Sequence, residues 1–219
     1  FCLSRGLGDV YKRQILGETS LAAVGATTTL SDFLIGLLNG FTNGCAIIIA
    51  TYFGSGDRDN MKKAIGGTIL SGIVLSVLIS AGCLLFLPRI LGALNVADFL
   101  MAESKAYIGI VLAGLLAATL YNVCAAILRA LGDTFTPLLF LILAAVLNVV
   151  LDYTLIKYGN MGVAGAALAT VIAQAVSAVL CFFYMKVRYP ELSLRREDFR
   201  FDKIIYKKLI ATGSSMGFM

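Results

Sequence analysis

The chain has 219 residues, of which 59% are hydrophobic and only 14% charged, with a net charge of +5 and a mean hydropathy of +0.88. That balance is far from the composition of a water-soluble domain and reads as an integral membrane protein. There is no histidine, which excludes imidazole metal sites, histidine general bases and Ser-His-Asp triads.

In chain order, the first stretch is Ser4 to Gln14, SRGLGDVYKRQ, which resembles a translated sequencing-adapter tract. Residues 1–14 are therefore read as non-native and left out of the fold expectation. A hydrocarbon core of about 30 Å takes about 20 helical residues to cross. Five apolar segments meet that length, near 27–53, 64–87, 107–130, 137–156 and 163–187. The first contains Gly36, Gly40 and Gly44, a doubled GxxxG pattern that lets a neighbouring helix approach closely, and ordinary helix packing is the preferred reading.

Polar connections separate the spans: GSGDRDNMKK at 54–63, a longer stretch at 88–105, LGDTFT at 131–136 and KYGNMG at 157–162. Residues 188–208 are long and basic and read as a cytoplasmic linker, while 209–219 read as the opening of another apolar helix, as expected for a fragment of a longer protein. Cys2, Cys45, Cys83, Cys124 and Cys181 show no CxxC spacing. They are expected to be buried small hydrophobes, with neither a disulfide framework nor a metal cluster.

Loop charge sets the expected orientation. Arg58, Lys62, Lys63, Arg129, Lys186, Arg188 and six further linker residues fall on one side, twelve in all, against Arg89, Lys105 and Lys157, three in all, on the other. The positive-inside rule places the 54–63 and 131–136 loops and the linker in the cytoplasm. The basic excess is then a matter of topology, and no nucleic-acid partner is expected. The span at 27–53 runs inward, so a preceding helix is expected where residues 1–14 now stand.

At about 1.5 Å per residue, Asp152 lies roughly 6 Å and Asn148 roughly 12 Å below the outer boundary at Ile156, and Thr170 roughly 10 Å below Val163. The four-residue spacing of Asn148 and Asp152 puts them on one helix face. A carboxylate at hydrocarbon depth costs about 2.5 to 3.5 kcal/mol even on lenient insertion scales, so it faces a protein interior or an aqueous cavity. Asp152 can hold a negative charge or a proton, and Asn148 and Thr170 offer neutral oxygens or hydrogen bonds, a set suited to a cation or a proton. The alternative is that Asp152 reaches interfacial water while Asn148 and Thr170 only serve packing. Asn122, Gln174, Asn39 and Asn43 are weaker cavity-lining candidates, and Asp32 is placed near enough to the outer interface to be solvated.

The run RALGDTFTPLLFLILAAVLNVVLDYTLIKYGNMGVAGAALAT, from Arg129 to Thr170, resembles the fourth to sixth helices of the multidrug and toxic compound extrusion (MATE) transporters. LAAVGAT and the YFGSGDRDNMKKA loop resemble that family's second helix and the cytoplasmic loop after it. The resemblance implies an all-α, polytopic membrane bundle: helices two to six of a six-helix amino-terminal lobe over residues 15–187, the interlobe linker at 188–208, and the start of helix seven at 209–219. It also implies that a first helix and a carboxyl-terminal lobe of the same protein are missing, that Asn148, Asp152 and Thr170 bind the coupling ion, and that Asn122 is a polar residue of helix four.

The expected function is therefore export of drug-like, often cationic compounds from a bacterial inner membrane in exchange for Na⁺ or H⁺, by rocker-switch alternating access. No cofactor and no covalent chemistry are expected, and the fragment alone is expected to be inactive. Three rivals stand beside it. A lipid-linked saccharide flippase of the same superfamily calls for cations along the cavity, a membrane enzyme acting on lipid phosphates calls for an acid–base or nucleophile cluster, and a structural membrane subunit calls for neither.

Overall fold

The computed structural model describes residues 2–93, 96, 101–159, 161–192, 196–199 and 202–217, and their side chains except at 2–27, 191, 196 and 197. These residues form helices α1 (Cys2–Gly54), α2 (Arg58–Leu85), α3 (Leu87–Ala93), α4 (Met101–Ala113), α5 (Leu115–Ala130), α6 (Phe135–Lys157), α7 (Gly162–Arg188) and α8 (Lys203–Gly217). Two short 3₁₀ turns, Pro190–Leu192 and Arg196–Phe199, connect α7 to α8. Four helical stretches, Thr28–Gly54, α2, α6 and α7, are each long and apolar enough to cross a membrane, and α4 with α5 supplies a fifth, bent by 40°. The all-helical architecture agrees with expectation, with four single-helix spans and a fifth where the bent α4–α5 pair counts as one.

The boundaries differ in four places. The helix carrying the first span begins at Cys2 rather than near 27, because no proline interrupts the chain before Pro88. The 88–105 connection is helical over most of its first half, since Leu87 and Leu91, one turn apart, are both buried. The 107–130 span is a broken pair rather than one rod. A Cβ at Gly114, where it breaks, would collide with the Val171 side chain of α7, so glycine is what lets the chain pass this close to Val171. Finally, α8 starts at Lys203 and not at 209, because the Asp202 carboxylate accepts from Ile204 N (3.0 Å) and Ile205 N (3.3 Å) and caps the helix there. Lys203, Lys207 and Lys208, expected in the linker, ride on the exposed side of its first turns.

Both short loops on the expected cytoplasmic side use the same Gly-Asp device. Gly56 (φ +77°) and Gly132 (φ +91°) end α1 and α5 in left-handed conformation, with their N–H groups bonded back to Phe53 O and Arg129 O. The next N–H groups, of Asp57 and Asp133, return to Tyr52 O and Leu128 O and complete the Schellman pattern. Each aspartate then begins the following helix: Asp57 accepts from Asn60 N (3.1 Å) and Asp133 from Thr136 N (3.0 Å).

Asp133 also accepts from the Tyr184 hydroxyl on α7 at 3.2 Å, which ties the loop to a third helix. Partial burial pushes its carboxyl upward, but the bonds from Thr136 and Tyr184 outweigh that and hold it below the ordinary aspartate range. A depressed carboxyl contributes stability that is present above the unfolded value of about 3.9 and lost as pH falls through the folded one. Thermal unfolding of the full-length protein is expected to show this contribution down to about pH 4 and to lose it below. Asp133→Asn should flatten that acid limb, and an unchanged limb would mean that the Tyr184 and Thr136 bonds are not made in solution.

Two apolar clusters hold the helices. One joins Phe41, Cys45, Ile49, Met61, Ile65, Val123, Ile127, Cys181 and Leu209 near the expected cytoplasmic side, and the other joins Leu34, Leu87, Leu91, Ile108 and Leu112 toward the opposite side. Along α1, α8 packs backbone to backbone. A Cβ at Gly40 would lie 2.5 Å from Met216 O, one at Gly44 would lie 2.5 Å from Thr212 O, and one at Gly213 would meet the Phe41 ring at 2.7 Å. The glycine pattern of α1 thus has a specific partner, whereas nothing lies within 4 Å of a Cβ placed at Gly36.

Candidate functional site

Successive hydrogen bonds fix how α6 meets α7. The Tyr184 hydroxyl reaches Asp133, the Ser177 hydroxyl donates to Phe140 O at 3.3 Å, and Asn148 Nδ2 donates to Thr170 Oγ1 at 3.1 Å. Position falls on α7 as it rises on α6, so the two helices are antiparallel. Close approach is possible because the α7 face is built of small residues, with Gly165, Ala166, Ala167, Ala169 and Ala173 all buried.

At the upper end of this seam, Asn148 and Thr170 are half-buried and joined to each other. The Thr170 hydroxyl in turn donates to Ala166 O of its own helix at 3.1 Å, the usual resting place for a helical threonine. Asp152 stands one turn beyond Asn148 on the same face and is buried, with 7% of its surface exposed. The register sets it at the level of Ala166, one turn before Thr170. On α6 only Pro137, Ala144, Asp152 and Ile156 are buried, so the one acid of this helix lies on its inward stripe and not toward lipid. A net interhelical hydrogen bond of the Asn148–Thr170 kind stabilises by about 0.5–1.5 kcal/mol.

The next turn is marked by an amphipathic cap. Lys157 Nζ donates to the Tyr153 hydroxyl at 2.6 Å and sits 4.8 Å from that ring, while Tyr153 and Tyr158 meet edge to face at 5.9 Å. Tyrosines with a basic residue at the end of an apolar span are what a membrane–water boundary favours. The acid is therefore about one turn inside such a boundary.

The weaker candidates are scattered. Asn122 and Gln174 are half-buried on α5 and α7, and Asn39 is half-buried on α1 with its backbone carbonyl accepting from Thr42 Oγ1 at 3.0 Å. Asn43 is exposed, and its side-chain oxygen accepts from Arg129 Nη2 at 3.0 Å. That contact, like the Tyr184–Asp133 bond, joins residues too far apart in sequence for any local pattern to show. Asp32 is half-buried.

Chemically, Asp152, Asn148 and Thr170 offer three oxygen-bearing groups, of which only the carboxylate carries charge. A proton needs only the carboxylate. A sodium ion would be met by the carboxylate, the amide oxygen and the hydroxyl, with further oxygens required from elsewhere. Among the described residues no group of three or more Cys, Asp or Glu side chains is arranged to hold a metal ion.

Comparison with known proteins bears on the chain as a whole. The MatE family model matches residues 9–154. The chain is 29% identical over 179 residues to the "Probable multidrug resistance protein YpnP" of Bacillus subtilis, covering 82% of this chain and 40% of that protein. It superimposes on the outward-facing conformation of a multidrug resistance MATE family transporter with TM-score 0.91 and 25% identity, over 99% of this chain and 48% of the other. For the inward-facing conformation the TM-score is 0.90 with 26% identity, over 98% and 49%. The chain thus spans less than half the length of the relatives it matches.

Proposed function

Since the chain belongs to the MatE family of multidrug and toxic compound extrusion transporters, we propose that the full-length protein is a secondary active antiporter. It exports drug-like, often cationic organic compounds across a bacterial cytoplasmic membrane in exchange for Na⁺ or H⁺. The observation that carries the coupling is the buried Asp152, one turn from an Asn148–Thr170 bond that crosses the α6–α7 seam. An ion that takes the carboxylate and the Thr170 hydroxyl oxygen competes with that bond, and so acts on how the two helices meet.

The mechanism needs two global states that the ion favours unequally. The near-equal fit of this chain to an outward-facing and an inward-facing relative supports a lobe that moves as one body, with helix positions almost the same at both ends of the cycle. The ion then biases which way the lobe rests against its partner, and substrate affinity in the shared cavity changes with it. Every step is binding, release or a proton moving on and off Asp152.

The test is transport by the full-length protein in proteoliposomes. An imposed Na⁺ or pH gradient is expected to drive accumulation of a fluorescent organic cation such as ethidium, and an ionophore that collapses the gradient should abolish it. Transport indifferent to both gradients would contradict the reading. Failure to move any organic cation, with lipid-linked saccharide moved instead, would establish the flippase rival.

A further inference from the structure

The α1–α5 seam holds a cation that the proposed ion coupling does not use. Arg129 stands in the last turn of α5, yet its Nη2 donates at 3.0 Å to the side-chain oxygen of Asn43 on α1, 86 residues away in sequence. Near the end of α1, Tyr52 and Phe53 carry the pattern of a membrane boundary, with Lys208 5.6 Å from the first ring and Arg58 5.2 Å from the second. Asn43 comes nine residues before Tyr52 and so lies roughly 14 Å further into the membrane. The guanidinium is thus drawn away from the cytoplasmic boundary, where an arginine at a helix end ordinarily extends to water.

Both side chains are exposed on the surface of this chain, and a charge turned to hydrocarbon at that depth is costly. The surface they share therefore faces an aqueous cavity or another part of the full-length protein. Among the described residues Arg129 pairs with no carboxylate, whereas Lys63 pairs with Asp202 at 4.0 Å. The bond also sets what the pair presents. Arg129 has only donors, so the Asn43 oxygen turns to it and the Asn43 amino group, itself a donor, turns away. With the one side-chain acceptor engaged, a guanidinium and an amino group make a set of donors that suits an oxyanion and not a cation.

We infer that Arg129, positioned by Asn43, is an anion subsite of the transport cavity that takes the carboxylate of an organic zwitterion. The inference rests on the antiport reading above and widens its substrate class from cations to compounds that carry both charges. One guanidinium matches one carboxylate both in charge and in the fork of its N–H groups. A lipid-linked pyrophosphate brings more negative charge than one guanidinium offsets.

The experiment measures binding to the full-length protein in detergent, by fluorescence anisotropy at neutral pH, of two cationic dyes that differ at one group: 9-aminoacridine-4-carboxylate and 9-aminoacridine-4-carboxamide. The wild type is expected to bind the carboxylate at least about tenfold more tightly than the carboxamide, the size of one charge-assisted contact. In Arg129→Gln the ratio of the two affinities should fall to about one. Arg129→Lys, which keeps the charge without the fork, and Asn43→Ala, which frees the guanidinium to swing, should each keep only part of it. The lysine variant decides the matter if the glutamine variant does not fold. A wild-type ratio of about one, the result if an acid elsewhere in the full-length chain neutralises Arg129, overturns the inference, and so does a ratio unchanged in Arg129→Gln or Arg129→Lys. Uptake of the same dyes into proteoliposomes keeps the two readings apart. Gradient-driven uptake without a carboxylate preference sinks the subsite alone, and a preference without gradient-driven uptake upholds the subsite and sinks the antiport.

Discussion

Asp152→Asn in the full-length protein is expected to abolish gradient-driven efflux while leaving the fold and the membrane insertion intact. The amide has the same shape and removes the charge that is costly at this depth, so stability should hold or rise. Ion–substrate coupling of about 1–3 kcal/mol corresponds to roughly 5–150-fold in affinity. The variant should lose that factor, so that substrate binding becomes the same with and without Na⁺ and flat across pH. Measured side by side with Asp32→Asn, which lies on another helix, the comparison separates loss of one buried ion site from general loss of charge. Normal ion dependence in Asp152→Asn would remove the site from the mechanism.

The second large effect lies on α1. Gly44→Leu is expected to break the α1–α8 contact, because even its Cβ would stand 2.5 Å from Thr212 O and 2.7 Å from the Gly213 Cα, and backbone cannot move aside as a side chain can. Overpacking of a close seam typically costs about 1–3 kcal/mol, and here both neighbours are backbone, so the upper end is expected. Gly36→Ala provides the matched control: it has open space around it, and a glycine-to-alanine change in a helix adds up to about 1 kcal/mol. Thermal unfolding of the full-length protein should therefore move in opposite directions for two glycines eight residues apart on one helix. If Gly44→Leu is as stable as the wild type, α8 does not pack on α1 in this way.

This pair also shows what the sequence could and could not disclose. The GxxxG spacing announced that some helix approaches, and the five spans followed from apolar length alone. Which helix approaches did not follow: α8 lies well over a hundred residues downstream, and its own Gly213 and Gly217 are inconspicuous beside Ser214 and Ser215. The break at Gly114 was hidden for a related reason. A lone glycine in an apolar run reads as tolerated, and only Val171 on another helix makes it necessary. The onset of α8 was misplaced because charge density at 186–208 masked an Asp202 cap, a signal that was present but outweighed.

The relative placement of the candidate residues was more legible than the seams around them. Asn148 and Asp152 share a face by spacing, and depth counted from the loop charges put Thr170 at their level, where Asn148 and Thr170 are bonded. What local pattern could not supply is the register of α6 on α7. That is set by side chains such as Ser177 and Tyr184, whose partners Phe140 and Asp133 belong to another helix.

The most direct measurement of the proposed ion site is amide hydrogen exchange on the full-length protein, with and without Na⁺ and across pH, in the wild type and in Asp152→Asn. The account predicts that Na⁺, or protonation at low pH, changes protection in peptides spanning Asn148 to Thr170, and that the change disappears in Asp152→Asn. Protection in those peptides that ignores both ions, or that responds equally in the variant, would contradict it.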